Sequence, residues 1–248
     1  MLKFLRRKEI AKAIFWALVI LILPAFVLWG TGSLSGSKDR EGPRFAGMID
    51  KKKVSFDELY EAITATRSLL VLNYFNQPQA LEMLLRDKPL LGKLGWGRLI
   101  MLKEAKRYRI KIHDEDVVAF IRSHPLFLRG GAFDEKLYGY VLKYNMGLEP
   151  RAFEEIIRSN LEVQRLNDSL TKDITASDEE VLSEYKQELS ALKEPKVLDE
   201  EKFKKEKDEF SKKVLGMKKT KFLEDWLRRL EAQAKLNIDF KDMDKYYK

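Results

Sequence analysis

RFAGMIDKKKVSFDEL, Arg44–Leu59, holds a change of period that sets the architecture. Two short β-like pieces, Arg44–Asp50 and Lys53–Ser55, flank a turn at Asp50-Lys51-Lys52. Ser55 then opens a helix. Its hydroxyl stands at the N-cap and Glu58 follows three residues on, a capping box that satisfies backbone donors left free at a helix start. Phe56, Leu59, Tyr60, Ile63, Leu70 and Tyr74 continue at helical spacing and make one apolar face. A hairpin this short is marginal in water on its own.

Downstream the chain reads as helices. Asn76–Gly95 is broken by Pro78, Pro89, Gly92 and Gly95 and should hold a short helix, Gln79–Arg86, and a loop. A firmer helix is expected from Trp96 to Tyr108. Asp114 caps a helix over Glu115–Ser123, with Pro125 just beyond. Arg129-Gly130-Gly131-Ala132 is a turn, and Asp134 starts a helix that stops near Gly147. Pro150 sits in the first turn of a long helix reaching Lys172. Ser177-Asp178-Glu179-Glu180 is a second capping box. From Asp199 to Lys235 the chain is helical again, with a break expected at Gly216. Leu236–Phe240 alternates apolar and polar, as a half-buried strand does. The run Asp199–Lys221 carries nine positive and six negative residues and reads as a solvated helix face.

Upstream, Ala13–Trp29 is seventeen residues without a charge, preceded by Lys3, Arg6, Arg7, Lys8 and Lys12 with only Glu9 against them. With Ile10 and Ala11 added and Lys12 snorkelling to the lipid surface, the run is long enough to cross a bilayer. The basic flank should stay in the cytoplasm and the remainder be exported. Trp16 and Trp29 stand near the two interfaces. The alternative is a cleaved signal peptide with Gly30-Thr31-Gly32-Ser33 as a poor cleavage site; it exports the same remainder. The expected division is a basic flank over 1–12, a transmembrane anchor over 13–30, a Gly/Ser-rich flexible tether over 31–43 and one helical domain over 44–248.

The net charge is +8, half of it in the first twelve residues. The rest is diffuse, which suits solubility and an anionic membrane face better than a nucleic-acid groove. With no cysteine, thiolate chemistry and Cys-based zinc sites are excluded. His113 and His124 belong to no metal or catalytic spacing, and no phosphate-binding loop or nucleophile elbow is present. No catalytic residue, cofactor or metal is therefore expected.

Several blocks in fixed order resemble the N-terminal domain of the SurA/PpiD family of periplasmic folding factors. They are Pro24–Gly30, Ala46–Asp50 with Val54–Leu59, Trp96 with Leu99-Ile100, Glu104–Arg107 and Ile110–Val117. The most specific is Ile121–Tyr138, with Pro125-Leu126-Phe127, Gly131-Ala132-Phe133-Asp134 and Tyr138. Phe153-Glu154, Arg158 and Leu161 continue the match, then Ser177–Val181 with Tyr185, and finally Phe222–Phe240. The resemblance implies a mainly α fold: an N-terminal transmembrane helix, then a SurA-N-like helical domain with a small β element pairing the N- and C-terminal segments. Leu236–Phe240 would add a strand to the hairpin, and Phe222, Trp226, Leu230 and Ala234 would pack the last helix on the first ones. The departure is that only about a dozen residues, Ser190–Glu201, stand where the family carries a parvulin isomerase domain. Chaperone function without isomerase activity is the implication.

The resulting expectation is a single-pass inner-membrane protein, N-terminus cytoplasmic and main domain periplasmic. It would hold unfolded or nascent exported proteins without ATP. Tyr74, Phe75, Leu126, Phe127 and Leu128 are the candidate peptide contacts, although each would also suit a core position. Trp96, Phe133, Tyr138, Phe153, Tyr185 and Trp226 are assigned to the core. The other reading is a non-catalytic scaffold or interaction module of an envelope complex, with a translocon as one candidate neighbour. A homodimer is left open, and no nucleic acid is expected.

Overall fold

The computed structural model describes residues 45–190 and 200–241, apart from the side chains of Glu200 and Lys202. The basic flank, the anchor, the tether and most of the stretch joining Ser190 to Glu201 lie outside the described residues. Among the described residues no helix is long and apolar enough to cross a membrane. The fold is mainly helical. It divides into two compact units, residues 1–166 with 227–248, and Asn167–Trp226.

The first unit begins with strands β1, Gly47–Ile49, and β2, Lys52–Val54, paired antiparallel with Ile49 opposite Lys52. Their two-residue turn has φ of 49° at Asp50 and 62° at Lys51. Both are left-handed, so the turn takes the type I′ hand that matches the twist of a hairpin. Helix α1, Phe56–Tyr74, starts on the expected capping box: Ser55 Oγ accepts from the Glu58 N–H at 3.1 Å, and Glu58 accepts from the Ser55 N–H at 2.7 Å. Leu59, Ile63 and Leu70 are buried as expected, but Tyr60 is 53% exposed. Small residues, Ala62, Ala65, Thr66 and Ser68, share the buried side instead.

Helix α2, Pro78–Arg86, matches the reading, but the loop expected after it is helical. Helix α3 runs from Lys88 to Arg107, its start held by Asp87, which accepts from the Leu90 N–H at 2.9 Å. Pro89 sits in that first turn, where a missing N–H costs nothing. At Gly95 the missing side chain allows a close approach. A Cβ on Gly95 would stand 2.6 Å from Ile63 Cγ1 and 3.1 Å from the Ile63 nitrogen, so α3 meets the α1 backbone at that point.

Helix α4, Asp114–Ser123, has His113 rather than Asp114 at its N-cap; Asp116 reaches back to accept from the His113 N–H at 3.0 Å. Asp114 instead receives Arg158 at 2.7 Å. A single 3₁₀ turn follows, Pro125–Phe127, then a two-strand ribbon, β3 Leu128–Arg129 and β4 Ala132–Phe133. Its turn is Gly130 and Gly131, both at positive φ. Asp134 caps α5, Glu135–Tyr140, by accepting from the Leu137 N–H at 2.9 Å. The helix widens into a π turn, Val141–Met146, and stops at left-handed Gly147. Helix α6 spans Pro150–Thr171. Arg158 donates to the Ile112 carbonyl, and Arg165 to the Lys111 carbonyl and Asp116, fastening α6 to the start of α4. The core of this unit includes Leu69, Leu72, Val117, Ile121, Phe127, Leu142, Phe153 and Ile157.

After the last helix, β5, Lys235–Leu236, pairs antiparallel with β1, Gly47 opposite Leu236. The sheet order is β2-β1-β5, so the hairpin gains the third strand that the resemblance implied, although it is Lys235–Leu236 and not Leu236–Phe240. The Asn237 N–H donates to the Ala46 carbonyl at 2.9 Å, and Ile238 and Phe240 are buried just beyond. Trp96 is buried against this edge: a Cβ on Gly47 would stand 2.5 Å from its ring.

In the second unit the second capping box is present, Ser177 and Glu180 bonding reciprocally at 2.8 and 3.2 Å, and opens α7, Asp178–Ser190. Helix α8, Glu200–Gln233, contributes its first part and passes Gly216 without a break. Tyr185 is buried between Phe203 and Phe210, with ring centroids 4.9 and 5.1 Å away. Its hydroxyl donates to Glu206 at 3.0 Å. Lys207–Asp178 and Lys218–Glu180 ion pairs cross between the two helices. The expected apolar stripe on α8 is displaced by one residue: Leu223 and Leu227 are buried, Trp226 only partly, and Phe222 is 37% exposed. One residue on a helix is a rotation of about 100°, enough to change the face.

Candidate functional site

A continuous file of rings runs from the core of the first unit to its surface. Phe127 and Phe153, both fully buried, meet edge to face at 5.8 Å. Tyr138 joins both, at 5.2 Å from Phe127 and 5.9 Å from Phe153. His124 stacks on Phe127 at 5.6 Å and on Phe120 at 5.8 Å. Phe75 closes the file, edge-on to His124 at 5.9 Å and 38% exposed. Edge-to-face pairs of this kind set the positive rim of one ring on the negative face of the next.

Chain geometry explains why these residues meet. His124 ends α4, and Pro125 forces the preceding residue out of helical conformation, so the chain turns. The Leu126 N–H then donates to His124 Nδ1 at 3.2 Å. This bond makes Nδ1 an acceptor and leaves the ring proton on Nε2. Burial among three phenyl rings pushes the His124 pKa down to about 4, so the imidazole is neutral near pH 7. The Tyr138 hydroxyl is buried without a hydrogen-bond partner and is pushed up to about 12, by burial and then by the charge of Glu154. Arg122 lies over the Phe133 ring at 5.8 Å, on the same side of the ribbon.

The five candidate contacts separate. Phe127 has no exposed surface and is a core residue, so it is withdrawn as a contact. Tyr74, Leu126 and Leu128 are half-buried, and burial raises the Tyr74 pKa. Phe75 alone of the five is exposed. Of the six assigned to the core, Trp96, Phe153 and Tyr185 are buried, and Phe133, Tyr138 and Trp226 are half-buried. His124 and Phe120 were not foreseen as part of this surface. Neither was a pair of exposed tyrosines, Tyr140 and Tyr144, whose rings lie 4.9 Å apart with Lys143 over the second. Their i, i+4 spacing was visible in the sequence; the π turn that carries Tyr144 was not.

His124 Nδ1 accepts from a backbone N–H, and among the described residues no group of three metal-ligating side chains comes together. What the geometry offers is a rigid aromatic file with one ring at the surface and aliphatic side chains beside it.

Neither curated proteins nor solved structures give a match. The family described as SurA-like N-terminal domain does, over residues 1–167, about two thirds of the chain. That span contains the hairpin, α1 to α5 and most of α6; the similar blocks at Ser177–Tyr185 and Phe222–Phe240 lie beyond it. The hairpin leading into a capped helix, the Pro-turned corner and the glycine ribbon all fall inside the matched span, and the chain belongs to the SurA-like N-terminal domain family.

Proposed function

We propose that the chain is a membrane-anchored, ATP-independent extracytoplasmic holdase that grips unfolded segments of exported proteins. Family membership supports a chaperone-type role. The observation that carries the reading is Phe75, a large exposed ring set edge-on against His124 and next in the chain to half-buried Tyr74. A chaperone that accepts many sequences needs apolar surface that is firmly placed yet not shaped to one side chain. Anchoring rests on the apolar run Ala13–Trp29 and its basic flank, and it would raise the local concentration of binding surface at the membrane. The short stretch between Ser190 and Glu201 supports a protein without an inserted isomerase domain.

The test is aggregation of a chemically denatured model protein in the presence of the full chain held in lipid nanodiscs. Protection at modest excess is expected, and Phe75→Ser should lose most of it while keeping its melting temperature. Absence of protection at severalfold excess overturns the reading. A saturable 1:1 complex with one folded envelope protein, without general protection, would instead establish the scaffold role.

A further inference from the structure

Six basic side chains cluster at one end of the first unit. Lys51, Lys52 and Lys53 are consecutive and exposed at the hairpin tip. Lys103 reaches from α3 to donate to the Ile49 carbonyl at 3.1 Å, which sets the C-terminal end of α3 against the tip and brings Lys106 and Arg107 to it. Burial lowers the Lys103 pKa first; Glu58 and Asp50 act against this, and Lys52 and Lys106 add to it. The crowding is thus only partly relieved by acids: Asp50 and Glu58 are at hand, and buried Glu104 faces Arg107 at 3.6 Å. Lys53 lies over the ring of Phe45, 5.1 Å from its centroid, at the first described residue of the chain. Like charges held this close repel.

The position of this end along the chain names its partner. Phe45 stands one residue past the segment read as a tether, residues 31–43, which follows the apolar run. On that reading the thirteen residues would span about 20 Å on average. The hairpin tip lies about 17 Å further along β1 at about 3.3 Å per residue. A bilayer holding the apolar run is therefore within reach of the tip. The geometry points to an anionic membrane surface as the partner of this patch: Lys51, Lys52 and Lys106, with Lys53, Lys103 and Arg107 around them, dock on phosphate-bearing lipid headgroups and orient the unit on its tether. This rests on the anchored reading above. A free protein ligand or nucleic acid is disfavoured because the patch is built on a hairpin tip rather than along a groove.

The experiment uses the full chain with vesicles of pure phosphatidylcholine and of phosphatidylcholine with about a third phosphatidylglycerol. Flotation reads the anchor, and lysine acylation followed by mass spectrometry reads the patch. The chain should float with both vesicle types, and at high salt. Acylation of Lys51, Lys52 and Lys106 should slow severalfold on the anionic vesicles only and recover in about 0.5 M salt, where screening reaches a few ångströms. Exposed Lys186, in the second unit, should not change. Equal acylation on both vesicles, with flotation intact, overturns the patch and leaves the anchor standing. If the chain fails to float with the neutral vesicles, the anchor reading fails. The patch is then judged on the anionic vesicles alone. Salt-sensitive flotation, lowered on the order of a hundredfold by Lys51→Gln, Lys52→Gln and Lys106→Gln together at about fivefold per lysine, sustains it. No such flotation overturns it.

Discussion

At the scale of single residues, exposure decides role. Phe75 and Phe127 are two members of one ring file and should respond oppositely. Phe127→Ala opens a hole where the side chain has no contact with water and should cost about 3–5 kcal/mol in urea unfolding. Phe75→Ser should change stability by less than about 1 kcal/mol and remove client protection. A Phe75 variant that unfolds, or one that protects normally, would contradict the assignment. A second pair sets the acid response. Glu231 has its Oε2 buried without a partner, and burial pushes its pKa up to about 7 against an opposing pull from Arg228. Its folded value lies above the unfolded one, so its contribution is full below about pH 4.5 and is lost as pH rises to about 7. His124 is the reverse: its folded value lies below the unfolded one, so its contribution is full above about pH 6.5 and is lost as pH falls to about 4. The two slopes oppose each other between pH 4.5 and 6.5. Relative to the parent, Glu231→Gln should gain stability on going from pH 4.5 to 7, by up to about 3 kcal/mol. Denaturant midpoints across that range measure it, and a difference independent of pH would remove Glu231 from the account.

At the scale of elements, the informative contact is α3 on α1. A helix interior with Gly92, Gly95 and Gly97 is poor by propensity and reads as a loop. It is helical because the missing side chain at Gly95 lets Ile63 and its backbone come close. Gly95→Ala, which improves propensity, should therefore destabilise by about 1–3 kcal/mol through overpacking. The same change at Gly139, where a Cβ would meet nothing within 4 Å, should be neutral or mildly favourable. Thermal melts of the two variants separate propensity from packing; equal shifts would mean that the close approach is not what holds α3. The capping boxes at Ser55 and Ser177 were readable because donor and acceptor are three residues apart and carry their own geometry. The glycines were not, because the neighbour that explains Gly95 is more than thirty residues away. The face of α8 was missed for a similar reason: Phe222 and Trp226 are large and aligned, but Leu223 and Leu227 are the residues buried.

At the scale of the whole chain, three-strand closure was legible only through family resemblance, since nothing in Leu236–Phe240 alone says which strand it joins. The ring file was half legible. Phe127 and Tyr138 stood with His124 in one block of sequence from Ile121 to Tyr138, whereas Phe153 joins them from α6 and the exposure of Phe75 depends on where α1 ends relative to α4. The closure can be tested directly because the chain has no cysteine. Met48 and Lys235 are opposite partners on β1 and β5. Met48→Cys with Lys235→Cys should form a disulfide on oxidation and raise the unfolding free energy by about 2–5 kcal/mol over the reduced form. Failure to oxidise would place the two strands apart.

Closure across the sheet also sets a timetable for the protein's own biogenesis. Gly47 and its partner Leu236 are 189 residues apart, so the pairing cannot form until the chain has grown by that length. Until then one side of β1 presents unpaired backbone groups, the kind of edge on which other chains aggregate. The nascent protein therefore needs shelter from the same hazard it is proposed to relieve in others, until Leu236 has emerged to pair with Gly47.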